Sequence, residues 1–166
     1  MNRELLFRAR AGELEAFESI VLAKSEPLFR TALAILGNEA DARDATQDTF
    51  IAAWRGIGSL RDLDRFDAWL GRSLVNQCRT MLRRRGRVHE IGTDSLSADP
   101  STSDRSREFD EAFARLSVDQ RALLVLHHLH GYDVREIAGW LGIPTGTVKW
   151  RLHRARKALR TELVKD

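Results

Sequence analysis

Apolar residues recur three and four positions apart along almost the whole of this chain, a spacing that places them on one side of a helix. Glycine and proline would interrupt such a pattern, but the 166 residues hold only 11 and 3 of them, sparse outside Gly86 to Pro100 and a few turns. No stretch reads convincingly as a strand, so the chain is expected to be all-α. One interval loses the periodicity: Val88 to Arg107, "VHEIGTDSLSADPSTSDRSR", is rich in Ser, Asp and Thr and poor in large apolar residues. The expectation is two small helical domains, residues 1–87 and 108–166, joined by a flexible linker over 88–107.

Hydrophobic residues make up 43% of the sequence, enough to bury a core. No apolar run approaches the length of a membrane span, and the N-terminus "MNRELLFRARAGELEAF" is amphipathic and charged rather than a signal peptide. A cytoplasmic protein without membrane insertion is expected. Cys78 is the only cysteine, which excludes an internal disulfide and a cysteine-rich zinc module and predicts a small buried side chain. Net charge is only +3, yet Arg72 to Arg87 and Lys149 to Arg160 are cationic runs without a single acid. Two separated runs of this kind point to polyanion contact at two places.

The second run closes the segment "LSVDQRALLVLHHLHGYDVREIAGWLGIPTGTVKWRLHRARKALRTEL", in which three helices are delimited by turn signals. Gly131 ends the first, and Asp133 caps the second with Glu136 completing a capping box. Gly142 supplies a sharp turn, and Pro144 suits the first position of the third helix. This is a helix-turn-helix pattern. Val148, Leu152, Ala155, Leu159 and Leu163 share one stripe of the last helix, so Trp150, Arg154 and Lys157 face outward, flanked by Lys149 and Arg151. Thr145, Gly146 and Thr147 form its first turn, where backbone N–H groups can approach a phosphate. Such a helix is shaped to enter a major groove. His127, His128 and His130 lie in an apolar helix with no carboxylate or cysteine at ligand spacing, so packing and solvent exposure account for them and no metal is expected.

In the first domain, "NEADARDATQDTFIAAW" places Asp41, Asp44 and Asp48 on one helix face and Ala42, Phe50, Ala53 and Trp54 on the other. Spacing alone leaves that acid stripe open between a solvated face, a metal site and a docking surface. The next helix, "FDAWLGRSLVNQCRTMLRRRGR", buries Leu70, Leu74, Cys78, Met81 and Leu82 and aligns Trp69, Arg72, Asn76, Arg79 and Arg83 opposite them. Arginines bind phosphate, an amide reads base edges and an aromatic stacks on exposed bases, so this line fits nucleic acid.

Taken together in this order and spacing, these segments resemble the extracytoplasmic-function group of bacterial sigma factors along nearly the whole chain. The resemblance implies a non-enzymatic initiation factor whose partners are core RNA polymerase and promoter DNA, with no cofactor, and some members of the group have an inhibitory anti-sigma partner. It turns the acid stripe into a polymerase contact through Asp41, Asp44, Gln47 and Asp48. It assigns Phe66, Trp69, Arg72, Asn76, Arg79 and Arg83, with the preceding loop from Ser59 to Asp67, to recognition and opening of the minus-ten element. Thr145, Gly146, Thr147, Lys149, Trp150, Arg151, Arg154 and Lys157 then read the minus-thirty-five element. Gly71, Val75 and Trp150 depart from the group's common pattern, which has an aromatic, a basic and a small polar residue there.

Two other readings compete. A free-standing helix-turn-helix regulator would need a strand-helix receiver or a dimer helix at the N-terminus, and none is visible. A metal-dependent nuclease built on Asp41, Asp44 and Asp48 would need further ligands or a catalytic pocket.

Overall fold

The chain enters its first helix through Asn2, whose side chain accepts from the Glu4 amide at 3.0 Å, and α1 runs Arg3–Arg10. The computed structural model describes the backbone of residues 2–89 and 104–164 and the side chains of residues 2–84 and 107–164. Among them every regular element is helical. Helix α2, Leu14–Leu36, ends at Gly37, whose φ of 68° is open to glycine at little cost. Asn38 caps α3, Glu39–Gly56, by accepting from the Asp41 amide at 2.9 Å. Two short 3-10 turns, Ile57–Ser59 and Leu63–Arg65, lead into α4, Phe66–His89.

These helices close over one apolar cluster in which Ile20, Ile35, Phe66, Leu70 and Leu74 are almost fully buried. Each such side chain contributes roughly 1.5–3 kcal/mol through burial. Cys78 lies in the same cluster, and burial pushes its thiol up to about 12, against an opposing effect of Arg121. It therefore stays protonated and chemically quiet.

Helix α5 spans Asp104–Ala114, and Ser117 with Gln120 forms a capping box that starts α6, Val118–Leu124. The chain continues as one π-helical turn, Val125–Leu129, then α7, Val134–Leu141, and α8, Thr145–Leu163. Asp133 accepts from the amides of Arg135 and Glu136 at 2.7 and 2.8 Å while Glu136 takes the Asp133 amide at 2.7 Å, so the predicted capping box forms in full. Gly142 ends α7 with a φ of 65°. Pro144 sits one position earlier than expected, as the cap of α8 rather than its first residue. Leu123, Leu126, Ile137, Val148 and Leu152 are the centre of this second unit, and Ala155 continues the α8 stripe beside Leu116 and Leu124.

The interval expected as a linker, 88–107, is entered by helix from both sides: α4 reaches His89 and α5 begins at Asp104. Its remainder lies outside the described residues. The two domains pack against each other, α4 touching both α6 and α7, and α2 touching α6 and the π-helical turn. Ala122 and Val125 from the second domain complete the apolar cluster of the first, with Leu141 packed on it.

Candidate polymerase and nucleic-acid interfaces

Helix α3 turns Ala42, Ala45, Thr46, Thr49, Phe50 and Ala53 into the core. Asp44 and Gln47 are exposed, and Asp41 and Asp48 are half-buried along the edge of the same outward face. Beside this stripe runs an open groove of about 770 Å³ between α2 and α3 that the sequence reading did not anticipate. Leu14, Phe17, Val21, Phe29, Phe50, Ile51 and Trp54 line it, and Gln47 joins it to the acids. Trp54 is 38% exposed at its lip, its ring 5.0 Å from that of Phe17. The sequence signal for the groove was Ile51, an apolar residue in the middle of the polar face of α3.

Helix α4 holds the expected line with one correction. Phe66, assigned to DNA contact, is 1% exposed and belongs to the core, because the 3-10 turn before it points the first residue of α4 inward. Trp69 is half-buried against the end of α3, where a Cβ on Gly56 would come within 2.9 Å of its ring. It borders a cavity of about 280 Å³ with Arg61, Asp62, Arg65, Ala68 and Arg72. Asn76 is exposed and accepts through Oδ1 from Arg79 Nη1 at 2.7 Å. Arg79 Nε donates to Asp119 Oδ1 of α6 at 2.6 Å. Arg83 is exposed, reaching Thr80 Oγ1 at 3.4 Å.

On α8 the outward face is open. Thr145, Gly146, Lys149, Trp150, Arg154 and Lys157 are exposed, while Thr147 and Arg151 are half-buried. Trp150 is 56% exposed, and the Arg154 guanidinium lies over its ring at 4.8 Å. The histidines are held by packing contacts: His127 Nδ1 donates to the Tyr132 carbonyl at 2.9 Å, and His128 Nε2 accepts from Arg156 Nε at 3.1 Å. Partial burial, and then Arg156, holds the His128 imidazole below its ordinary range.

Known proteins share this arrangement. Residues 21–88 match the family described as Sigma-70 region 2, which here is most of α2 with α3 and α4, and residues 106–159 match Sigma-70, region 4, from α5 into α8. Over 164 residues the chain is 37% identical to the ECF RNA polymerase sigma factor SigM of Mycobacterium tuberculosis, covering 95% of this chain and 82% of SigM. The chain belongs to the extracytoplasmic-function group of RNA polymerase sigma factors.

A sigma factor of this group directs RNA polymerase to promoters and starts transcription. The RNA polymerase sigma-E factor of Streptomyces coelicolor is 32% identical to this one over 158 residues, 92% of this chain and 89% of the relative. Among solved structures, CnrH in complex with the cytosolic domain of CnrY superposes with a TM-score of 0.70 at 28% identity, over 99% of this chain and 97% of CnrH. RpoE of Bartonella quintana, solved with the anti-sigma factor NepR, superposes with a TM-score of 0.68 at 30% identity, over 92% and 98%. The free-standing regulator gives way: the first domain of this sigma factor is a region 2 domain, not a receiver.

Proposed function

We infer that this sigma factor divides its work among three surfaces. The α2–α3 groove with Asp41, Asp44, Gln47 and Asp48 docks on the clamp of the polymerase's largest subunit; α4 and its preceding loop capture the minus-ten element; α8 reads the minus-thirty-five element. The observation that carries this reading is the pairing of an apolar groove with an acid rim on α3. A basic helix of the polymerase can bury apolar side chains in such a groove while its cations meet the carboxylates, and the acids set partner choice more than raw affinity.

On the DNA side, a major groove about 12 Å wide admits one α-helix. The exposed cations of α8 supply phosphate contacts, and the Trp150–Arg154 pair supplies the contact with base edges. On α4, Trp69, Arg72, Asn76, Arg79 and Arg83 meet the parted strands, and the cavity beside Trp69 is of a size to receive an unstacked base. Each surface is small, so the polymerase holds both on one promoter and multiplies two weak contacts. Residues 1–87 and 108–166 are the two working units and 88–107 the tether. The protein supplies binding and placement while the polymerase does the chemistry, so it is not itself an enzyme. Its place of work is the cytoplasm, and no helix among the described residues is long and apolar enough to cross a membrane. By analogy with CnrH and RpoE, each solved with its partner, an anti-sigma protein is a further partner.

The test is core binding by Asp44→Arg with Asp48→Arg, both side chains lying off the buried face of α3. Pull-down of core polymerase should be lost while circular dichroism keeps its helical signal. Retention of wild-type binding would refute the docking assignment.

A further inference from the structure

The second turn of α8 carries a large aromatic that no apolar neighbour explains. Trp150 stands two positions after Val148 and two before Leu152, both almost fully buried, so at roughly 3.6 residues per turn it lies half a turn from the stripe that packs inward. It points directly away from its domain. The ring is 56% exposed, and the guanidinium of Arg154, one turn on, lies over it at 4.8 Å. One turn before it Gly146 has no side chain, and a Cβ built there would meet nothing within 4 Å. The ring is therefore open to approach from the N-terminal side of the helix. Its single polar atom, the indole N–H, has no acceptor among the described residues.

An exposed tryptophan is also a common anchor for a protein partner. Here the exposed side chains around it are Lys149, Arg154 and Lys157, and such a setting selects a polyanion. An indole offers a wide apolar face and one donor, with no acceptor. Among the four bases only thymine matches both features, because its major-groove edge carries the C5-methyl beside the O4 acceptor. Cytosine presents an amine donor and no methyl, while adenine and guanine have acceptors but no methyl. We propose that Trp150 is a thymine reader within the minus-thirty-five element, its ring covering the C5-methyl and its N–H donating to O4, with Arg154 bracing the other face of the ring.

This rests on the reading of α8 as the minus-thirty-five helix and adds to it the identity of one base. The small polar residue usual in the group at this position is too short to cover a methyl, so the preference is a property of this chain. Its two parts are chemically separable. Uracil lacks only the methyl, whose burial is worth about fourfold in affinity. 5-Methylcytosine keeps the methyl and puts an amine donor where O4 was, which forfeits one hydrogen bond, worth about fivefold.

The full chain at low salt, as wild type and as Trp150→Ser, is used to select from a randomised duplex library, and a thymine that wild type alone prefers marks the site. Anisotropy of fluorescein-labelled duplexes carrying thymine, uracil or 5-methylcytosine at that position then reads the contact. Uracil should weaken wild type about fourfold and 5-methylcytosine about fivefold, and Trp150→Ser should respond to neither. Trp150→Phe keeps an apolar ring without the N–H, so it should keep the uracil effect and lose the 5-methylcytosine effect. Persistence of the latter in Trp150→Phe would overturn the donation to O4. The absence of any thymine preference that Trp150→Ser loses, or equal affinity of wild type for the thymine and uracil duplexes, would overturn the thymine assignment. The minus-thirty-five reading would survive that result if Lys149→Ala with Lys157→Ala still weakened duplex binding. A double variant that binds the duplex as tightly as wild type would overturn the minus-thirty-five reading and the thymine assignment with it.

Discussion

Helices α4 and α8 are both long, basic and stripe-buried, and both carry a tryptophan among arginines, yet they meet their surroundings in opposite ways. On α8 Lys149, Arg154 and Lys157 are exposed and Arg151 is half-buried, and the Arg154 guanidinium lies over the tryptophan. On α4 an arginine is paired with Asp119, another lies against a backbone turn, and the tryptophan is wedged against Gly56. Charge composition therefore says which helices can meet a polyanion, and tertiary context decides which of them is available to do so. In the packed molecule the outward face of α8 is open, whereas on α4 Arg72, Asn76 and Arg83 are exposed and Trp69 and Arg79 are half-buried.

The hardest way to break the comparison is to unmake the domain that carries α8. Leu152 is 2% exposed beside Val148 and Ile137, and Leu152→Ala leaves a cavity that should cost about 2–5 kcal/mol. Calorimetry should show the second domain melting earlier. Duplex binding through α8 should fall while single-strand binding through α4 is retained, since Arg72, Asn76 and Arg83 are exposed on the other domain. A parallel fall of both activities would mean that the two faces do not act independently.

Next in size is the matched pair Arg154→Ala and Arg79→Ala. If Arg154 makes a bidentate base contact, its loss should remove roughly 1–3 kcal/mol of discrimination at one position of a minus-thirty-five library. If it meets a phosphate, affinity should fall evenly across the library and the salt dependence should flatten. Arg79→Ala should differ in kind: a smaller loss of strand binding than Arg83→Ala gives, because Asp119 already holds the Arg79 guanidinium while Arg83 is exposed. Equal losses would show that the Asp119 contact does not hold Arg79 in solution.

Trp150→Ser probes the open face more gently. An exposed cation–π contact is worth about 0.5–1 kcal/mol, so the substitution should leave core binding untouched and release Arg154 from its stacked position. The preference profile should change, most clearly where a thymine methyl could meet the indole. A profile overlaying the wild type would place the tryptophan outside the groove.

Legibility in the sequence followed the same division. The α8 stripe as far as Leu159, the Asp133–Glu136 box and the Gly142 turn could be read because each is a local pattern buried or satisfied within its own domain, whereas Leu163, expected on the same stripe, is exposed near the end of the helix. Phe66 could not, since an aromatic at the start of a helix looks alike whether it points to the core or to DNA. Gly71 and Val75 were visible as departures from the family pattern, but periodicity cannot say what packs against a position, and Trp140 over Gly71 and the Ala122 and Val125 that share the cluster of Val75 are remote in the chain. The start of α5 was lost for another reason. Asp104 to Arg107 have linker composition, and the helix is anchored further on, where Ala112 is buried and Phe113 packs against the apolar clusters of both domains. The groove on α3 went unread because exposed apolar residues such as Leu14 and Ile51 are single exceptions in sequence and become a surface only when α2 and α3 lie side by side.

The smallest expected effect concerns the closed side alone. His130 meets Thr31 across the domain contact, and burial holds its imidazole below the ordinary value of 6.5. A base whose folded pKa is depressed binds fewer protons folded than unfolded, so its contribution is fully present above the unfolded value and is lost as pH falls from there toward the folded one. Urea midpoints should therefore drop on going from about pH 7.5 to about pH 5.5. His128, depressed in the same direction but placed on the α8 side beside Arg156, adds to that drop without touching the domain contact. His130→Gln keeps a side-chain donor for Thr31 and removes the titration, so its midpoint should fall less than that of wild type over the same interval. Scattering gives the sharper reading: acid should expand wild type more than His130→Gln, and identical expansion would assign the pH sensitivity to the second domain by itself.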